Sequence, residues 1–358
     1  MLHVIVMAGG SGSRLWPESR KTRPKQLLRL IDDRTLLEAT LDRIGRSVPP
    51  ERVWISTSEA LVPALFEEEG VEISRDRILC EPVPRDTAPC IGLAALHLLH
   101  TDPDAVMLVA PADHAISNIP AFQDALTQAE ALIKEDDKRL VVFGVPPISA
   151  ATGFGYVERE ETPITPSVYP VREFHEKPGP KTAQSYLDRG GFYWNAGIFV
   201  WKAQTIIDQL IIFIPEITDP LMKIAGVIGT PEYDQVLQKE FARMPSISID
   251  YAVLEKAEHR VLIEAQFDWD DVGSWDSLER LGCPDENGNV LEAERCTVLD
   301  SRGNIVQCRN KKVIALSGVD DLVIVDTNDA LLIARRGDDD SIRKLIGLIE
   351  ERGWGDVL

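Results

Sequence analysis

Positive charge is scarce in this chain. Lys and Arg number 38 against 58 Asp and Glu, for a formal net charge of −20. A protein that grips a nucleic-acid polymer carries a positive footprint, and a global one is missing, so a nucleic-acid partner is not expected. Long apolar runs are missing too; nothing approaches the roughly 20 residues that cross a bilayer, so no membrane partner is expected. Cysteine is sparse and odd in number: Cys80, Cys90, Cys283, Cys296 and Cys308, with no C-x-x-C pair. That excludes a zinc ribbon and argues against a secreted disulfide framework. The five read as small buried side chains in a reducing compartment. Residues 1–8 are apolar but lack a basic leader, so they do not read as a signal peptide. A cytoplasmic location is the expectation.

What is present is enough for a large core. The chain has 358 residues, 44% of them hydrophobic and 27% charged, which are globular values. The apolar run 2–7 ends at Gly9-Gly10 and predicts a buried strand followed by a glycine loop. Residues 34–46 predict an amphipathic helix with Leu37, Leu41 and Ile44 on one face, and Thr35 with Glu38 has capping-box spacing. Strands are predicted at 53–57, 105–110 and 140–143, with helices after Ser58, after Asp86 and over 121–135. Alternation of this kind predicts a mainly parallel, doubly wound sheet. Strand-like pieces follow at 154–158, 168–174, 192–201 and 260–267, and helical ones at 203–213 and 250–257. The rhythm changes after Cys283. Short strands at 296–300, 304–308, 312–316, 322–326 and 330–334 are separated by turns and suit a small β-helix-like stack. A helix near 341–351 closes the chain. The domains are therefore expected at 1–283 and 284–358.

Chemistry concentrates at strand ends. Residues Ala8, Gly9, Gly10, Ser11, Gly12 and Ser13 form a glycine loop whose main-chain N–H groups can approach a polyphosphate. G-K-[ST] is absent, so it is no P-loop. The third glycine of a dinucleotide fingerprint falls at Leu15, which argues against a nicotinamide enzyme. Arg14, Arg20, Lys21, Arg23 and Lys25 follow, a local positive focus in an acidic protein. Asp113 comes just after the predicted strand 105–110, where open α/β sheets place ligands, and a carboxylate there suits Mg²⁺. Asp268, Asp270 and Asp271 bring three acids into four positions, which is costly unless they are solvated or bound to a cation. Asp86 reads as a helix cap.

GGSGSRLWP followed by Pro24-Lys25-Gln26 resembles the signature of the sugar-1-phosphate nucleotidyltransferases. Its tryptophan form is similar to the bacterial mannose-1-phosphate guanylyltransferases. PADH at 111–114, DVGSW at 271–275, FHEKP at 174–178, WNAG at 194–197, GFGY at 153–156 and RDTAP at 85–89 resemble further family segments in the family's order. RDTAP departs from the commoner R-N-T-A-P. The resemblance implies a Rossmann-like doubly wound mixed sheet of the GT-A-like kind, with a small C-terminal β-helix-like domain. It implies GMP transfer from GTP to mannose 1-phosphate, giving GDP-mannose and pyrophosphate, with Mg²⁺ or alternatively Mn²⁺ as cofactor. Arg14, Lys25 and Lys177 become catalytic charges and Asp113 with Asp271 the metal ligands, Asp270 being the alternative. Ala8, Gly9, Gly10, Ser11, Gly12, Ser13, Glu81, Asp86, Thr87 and Ala88 face the nucleotide. Gly155, Glu176, Asn195 and Asp250 face the sugar, although Asp250 also suits a helix cap. Longer relatives carry an added isomerase domain, so transferase activity alone is expected, and a homodimer is left open. The competing readings are a glucose-1-phosphate uridylyl- or thymidylyltransferase and a non-catalytic GDP-mannose-sensing homologue.

Overall fold

The computed structural model describes every residue except Ser11 and Glu69. Its first part runs β1 (Leu2–Met7), α1 (Leu36–Gly45), β2 (Val53–Ser58), α2 (Val62–Glu67), β3 (Ile78–Glu81), α3 (Thr87–Thr101), β4 (Val106–Pro111), α4 (Ile119–Glu135) and β5 (Leu140–Val145). There follow β6 (Tyr156–Arg159), β7 (Val168–His175), α5 (Pro180–Arg189), β8 (Phe192–Lys202), α6 (Ala203–Phe213), α7 (Thr218–Ala225) and α8 (Tyr233–Phe241). A π-helical turn over Asp250–Leu254 then leads to β9 (Arg260–Glu264) and α9 (Ser277–Leu281). The α1 capping box forms as its spacing predicts, with Glu38 N–H donating to Thr35 Oγ1 at 3.1 Å. β3, α5, α7 and α8 were not marked by the sequence pattern.

These strands make one nine-stranded sheet in the order β3-β2-β1-β4-β8-β5-β9-β7-β6. The β1 neighbours are parallel, as expected from βαβ alternation. β8, however, enters antiparallel between β4 and β5, so the sheet is mixed. Both faces are covered. Trp194, Ala196 and Ile198 of β8 pack into the core beneath α1, α4 and α5, while Tyr193, Phe199 and Trp201 pack into the core beneath α3, α6 and α8. This strand alternation sends neighbouring residues to opposite sides, and it decides which side chains meet below.

The C-terminal part contains β10 (Val290–Ala293), β11 (Cys296–Leu299), β12 (Ile305–Cys308), β13 (Ile314–Ser317), β14 (Leu322–Asp326), β15 (Leu331–Arg335) and α10 (Asp339–Glu351). β10, β12 and β14 stack in parallel, with Val290 beside Ile305 and Ile305 beside Val323; β11 stacks on β13 in the same way. This is the β-helix-like module expected. Asn289 and Asn304 lie fully buried at one of its corners. Asn304 Nδ2 donates to Asn289 Oδ1 at 3.0 Å, and Leu322 N–H donates to Asn304 Oδ1 at 3.1 Å. The ladder satisfies corner groups that burial would otherwise orphan.

Leu15, Trp16, Val272 and Trp275 share a core with Val290, Ile305, Leu332 and Ile342, so the module is packed against the sheet domain. All five cysteines are free thiols. Cys90 and Cys308 are buried as expected, but Cys283 is exposed, since it stands in the turn after α9. No helix among the described residues is long and apolar enough to cross a membrane.

Candidate active site

The glycine loop leaves the carboxyl end of β1 beside that of β4. Its base is held rigidly: the Ala8 carbonyl accepts from Gln26 Nε2 at 2.8 Å and from Thr57 Oγ1 at 2.9 Å. Gly10 and Gly12 have φ of 95° and 62°, conformations open to glycine and strained for other residues. Among the described residues no acceptor meets the N–H of Gly9 or Gly10, which leaves them free for an anion. Ser11 lies outside the described residues. Ser13 opens a short 3₁₀ turn with Arg14.

Lys25 joins the loop to both aspartates. Its stem lies against Gly12, where a Cβ would collide with it. Its ammonium is 2.8 Å from Asp113 Oδ2 and also donates to the Asp271 carbonyl. Burial pushes the Asp113 carboxyl up, but the charge and hydrogen bond of Lys25 outweigh this and hold it below the usual range. Residues 113 and 271 therefore converge on one cation at the glycine loop, although the chain separates them widely. A backbone bridge explains how: Ala115 N–H donates to the Asp270 carbonyl at 2.9 Å and Asp270 N–H returns the bond at 3.0 Å.

The two neighbouring acids have different work. Asp270 is buried, accepts from Val272 N–H at 2.8 Å, and is ion-paired to Arg280 at 2.5 Å. The Asp271 carboxylate accepts from Gly273 N–H at 3.1 Å and has no ion-pair partner among the described residues. Val272, which follows them, is fully buried with φ 48°. A β-branched residue there is a conformational outlier, and such strain gathers at functional sites. No sequence pattern marks this strain.

On the nucleotide side, Asp86 caps α3, accepting from Thr87 N–H at 2.7 Å with φ 65°. Its capping role is therefore engaged. Thr87 Oγ1 accepts from Ile249 N–H at 2.8 Å, and Ala88 N–H donates to the Ile247 carbonyl at 3.1 Å. These bonds tie the α3 N-terminus to the segment that carries Asp250. Glu81, at the end of β3, has its carboxyl pushed up by burial and accepts from Ser56 Oγ at 3.2 Å.

The sugar-side residues form a second cluster. Asn195 Nδ2 donates to Asp250 Oδ1 at 3.0 Å, while Asn195 Oδ1 accepts from Gly197 N–H at 3.0 Å. Asp250 begins the π turn without capping it. Burial, and then repulsion from Glu176, raises its carboxyl to about 7. Lys177 is paired with Glu176 at 2.8 Å. Gly155 is required next to them, since a Cβ there would lie 2.5 Å from Glu176 Oε2.

Two of the expected phosphate-side cations point elsewhere. Arg20 is ion-paired to Asp329 at 2.7 Å and Lys21 to Glu350 at 3.0 Å, both in the C-terminal module. The positive focus is thus narrower than the sequence suggests, because the packed module supplies carboxylates that sequence proximity hides. Arg14 stays near the loop, 3.9 Å from Asp339 of α10. His114, beside Asp113, has no expected role as a ligand. It is drawn down to about 4 by burial and accepts from Trp269 Nε1 through Nδ1 at 3.1 Å, so it is neutral at pH 7. Elsewhere, Glu158, Glu173 and His175 bring their ligand atoms within 4.8 Å of one another. Glu158 is already paired with Arg172 at 3.2 Å and Arg189 at 3.1 Å, so that group is balanced by protein charge.

A mixed Rossmann-like sheet, a glycine loop at the end of its first strand and a β-helix-like appendage define a nucleotidyltransferase fold. The chain belongs to the nucleotidyl transferase family, whose model matches residues 3–287. Residues 294–348 match the MannoseP isomerase/GMP-like beta-helix domain. A mannose-1-phosphate guanylyltransferase of Klebsiella pneumoniae is 35% identical over 356 residues, covering 98% of this chain and 74% of that protein. One from Escherichia coli is 35% identical over 354 residues, covering 98% and 74%. A crystal structure from Thermus thermophilus, described as a mannose-1-phosphate geranyltransferase, superposes with a TM-score of 0.87 at 34% identity, covering 98% of this chain and 99% of that one.

Proposed function

We propose that this nucleotidyltransferase moves GMP from GTP to mannose 1-phosphate, releasing GDP-mannose and pyrophosphate. The relatives from Klebsiella pneumoniae and Escherichia coli support the substrate pair. The observation that carries the chemistry is the Lys25 ammonium lying between Asp113 and Asp271 at the lip of the glycine loop. We assign catalysis to residues 1–283 and a supporting role to 284–358.

Two anions must meet for this reaction. The free N–H groups of Gly9 and Gly10 offer donors to phosphate oxygens, and Arg14 and Lys25 offer charge. On the sugar side, Glu176, Asn195 and Asp250 offer hydrogen-bonding atoms to hydroxyls, and Lys177 offers a point charge to the sugar's phosphate. The attacking oxygen belongs to a phosphate monoester whose second pKa is about 6, so it is largely ionised at neutral pH. No protein base or covalent nucleophile is then needed, and catalysis rests on positioning and charge stabilisation.

The donor set fits a hard divalent cation. Asp113 and Asp271 offer carboxylate oxygens, and a cation, the Lys25 ammonium, already lies against the Asp113 carboxylate and the Asp271 main-chain carbonyl. Bound there, Mg²⁺, with Mn²⁺ as the alternative, would neutralise phosphate charge as it is redistributed. The test is pyrophosphate release from GTP, ATP, UTP and dTTP, each paired with mannose 1-phosphate and glucose 1-phosphate, with and without Mg²⁺. The expected result is fastest release from GTP with mannose 1-phosphate and Mg²⁺. Faster turnover of UTP or dTTP with glucose 1-phosphate would replace this reading.

A further inference from the structure

A buried thiol and a buried hydroxyl stand behind Glu81. Ser56 of β2 is 1% exposed and Cys90 of α3 is 4% exposed. Cys90 Sγ donates to Ser56 Oγ at 3.3 Å, and Ser56 Oγ donates to Glu81 Oε1 at 3.2 Å. Accepting the thiol's hydrogen occupies a lone pair of the serine and leaves its own proton for the carboxylate. The Ser56 carbonyl meanwhile accepts from Ala8 N–H at 2.8 Å, which ties this residue to the base of the glycine loop. Glu81 itself is only part-buried. No described residue donates to its Oε2, and that oxygen is not sealed from solvent.

The sheet decides what this carboxylate can meet. Ser56 is the register partner of Met7, and Ser58 that of Glu81, so Glu81 stands level with the glycine loop and two strands away. That is about 10 Å, or two interstrand spacings. A nucleotide stretched from its α-phosphate to the pairing edge of its base covers a similar length. Trp54 and Leu79 pack in the core beneath α3, so Ser56 and Glu81, two positions further along their strands, face that side as well. Tyr193 lies in the same core, which puts Asn195 on this face too. In the strand order β8 lies on one side of β1 and β3 on the other. A nucleotide with its phosphates on the glycine loop and the sugar phosphate towards β8 therefore extends its base towards β3 and Glu81.

An ionised carboxylate only accepts hydrogen bonds. The pairing edge of guanine presents two adjacent N–H groups, whereas that of adenine sets an acceptor nitrogen beside an N–H. Burial pushes the Glu81 carboxyl up, the Cys90 thiol and Ser56 hydroxyl oppose this, and the Asp86 carboxylate adds to it. We propose that Ser56, backed by Cys90, is a positioning residue for base selection: its hydroxyl fixes the plane of the Glu81 carboxylate so that the two oxygens accept from N1–H and the 2-amino group of guanine. Oε1 keeps a second lone pair for this while it accepts from Ser56. The proposal rests on the guanylyl-transfer reading and adds to it the residues that choose the base. Loss of the hydroxyl frees the carboxylate to rotate, so discrimination between bases falls more than binding as a whole.

Calorimetric titration of the full chain, with Mg²⁺ and without sugar phosphate, tests this. The probes are GTP, UTP and ITP, which differs from GTP only in lacking the 2-amino group. The parent is expected to bind GTP about tenfold or more tighter than ITP. Glu81→Ala should erase that ratio. Ser56→Ala, which leaves the backbone bond to Ala8 in place, should cut it about fivefold, chiefly by weakening GTP. Cys90→Ala should lower the ratio by less, and Cys90→Ser, which keeps a donor, should preserve it. If Ser56→Ala does not fold, the contrast between the two Cys90 variants decides. A merely structural role would weaken GTP and ITP equally. That result, a parental ratio near one, or a ratio indifferent to Ser56→Ala overturns the proposal. Tighter binding of UTP than of GTP by the parent removes the guanylyl-transfer reading and this proposal with it, whereas a GTP preference untouched in Ser56→Ala removes the proposal alone.

Discussion

The acids at 270 and 271 are adjacent in sequence and opposite in consequence. Asp270 anchors Arg280 and the bridge to Ala115, while the main-chain carbonyl of Asp271 accepts from Lys25 and its carboxylate has no ion-pair partner among the described residues. Asp271→Asn should therefore cut turnover by about 10²-fold or more while leaving thermal stability near that of the parent. Asp270→Asn should do the reverse, costing about 1–3 kcal/mol through a weakened buried acceptor. Pyrophosphate release and thermal melting on the same two variants separate the roles; a melting loss in Asp271→Asn with normal turnover would exchange them. Asp250 makes a pH prediction. Its folded pKa of about 7 lies above the ordinary 3.8, so the folded state keeps a proton that the unfolded chain has lost. Stability is accordingly expected to fall as pH rises from about 4 through 7. Asp250→Asn preserves an oxygen for Asn195 and removes the charge facing Glu176. Its melting temperature should exceed the parent's at pH 8 and match it near pH 4. Equal melting differences at both pH values would mean that Asp250 ionises normally.

Gly12 shows how an element is set by one position. Its φ of 62° and its contact with Lys25 both require glycine. Gly12→Ala should cost about 1–2 kcal/mol from backbone strain alone and lower turnover more than stability, because displacing Lys25 disturbs the ammonium between the aspartates. A Gly12→Ala protein with unaltered kinetics would show that the loop tolerates a shifted lysine. In the C-terminal module, Asn304→Ala should cost about 1–3 kcal/mol, since it orphans the Leu322 N–H and removes the donor to the Val319 carbonyl; chemical denaturation measures it. Much at this scale was legible. The α1 capping box, the glycine turn and the run at 105–110 are local patterns, and local patterns survive into the fold. β3 was missed because ILCE is short and does not alternate clearly, and α7 and α8 because their sequences carry no strong capping signal. The antiparallel entry of β8 was not readable either, because periodicity fixes which face a residue takes and not which neighbour its strand pairs with. At the site, motif order pointed to Asp113 and Asp271, but the strain at Val272 and the placing of Ser56 and Cys90 behind Glu81 exist only once distant segments are packed.

At the scale of the whole molecule, the two sequence regions share structure at the place where chemistry is proposed. Trp275 is buried four residues after Asp271, and its Nε1 donates to the Trp16 carbonyl at 3.2 Å. Trp16 Nε1 in turn donates to the Val357 carbonyl at 2.7 Å, beyond α10. The glycine loop, the segment bearing Asp271 and the C-terminal end are thus joined through two indoles and one apolar core. An interface of this kind couples unfolding of the parts. Heating the protein should give one cooperative transition by far-ultraviolet and near-ultraviolet dichroism, and not two. Trp275→Ala removes a fully buried indole from the shared core and should cost about 3–5 kcal/mol. It should also separate the β-helix-like module's melting from that of the sheet and lower turnover at temperatures below either transition, because Val272 and Asp271 lose the surface that holds their strained turn. Retention of a single transition with parental turnover in Trp275→Ala would mean that the ion pairs of Arg20 and Lys21 carry the coupling instead, and the same measurements on Arg20→Ala would then show the split.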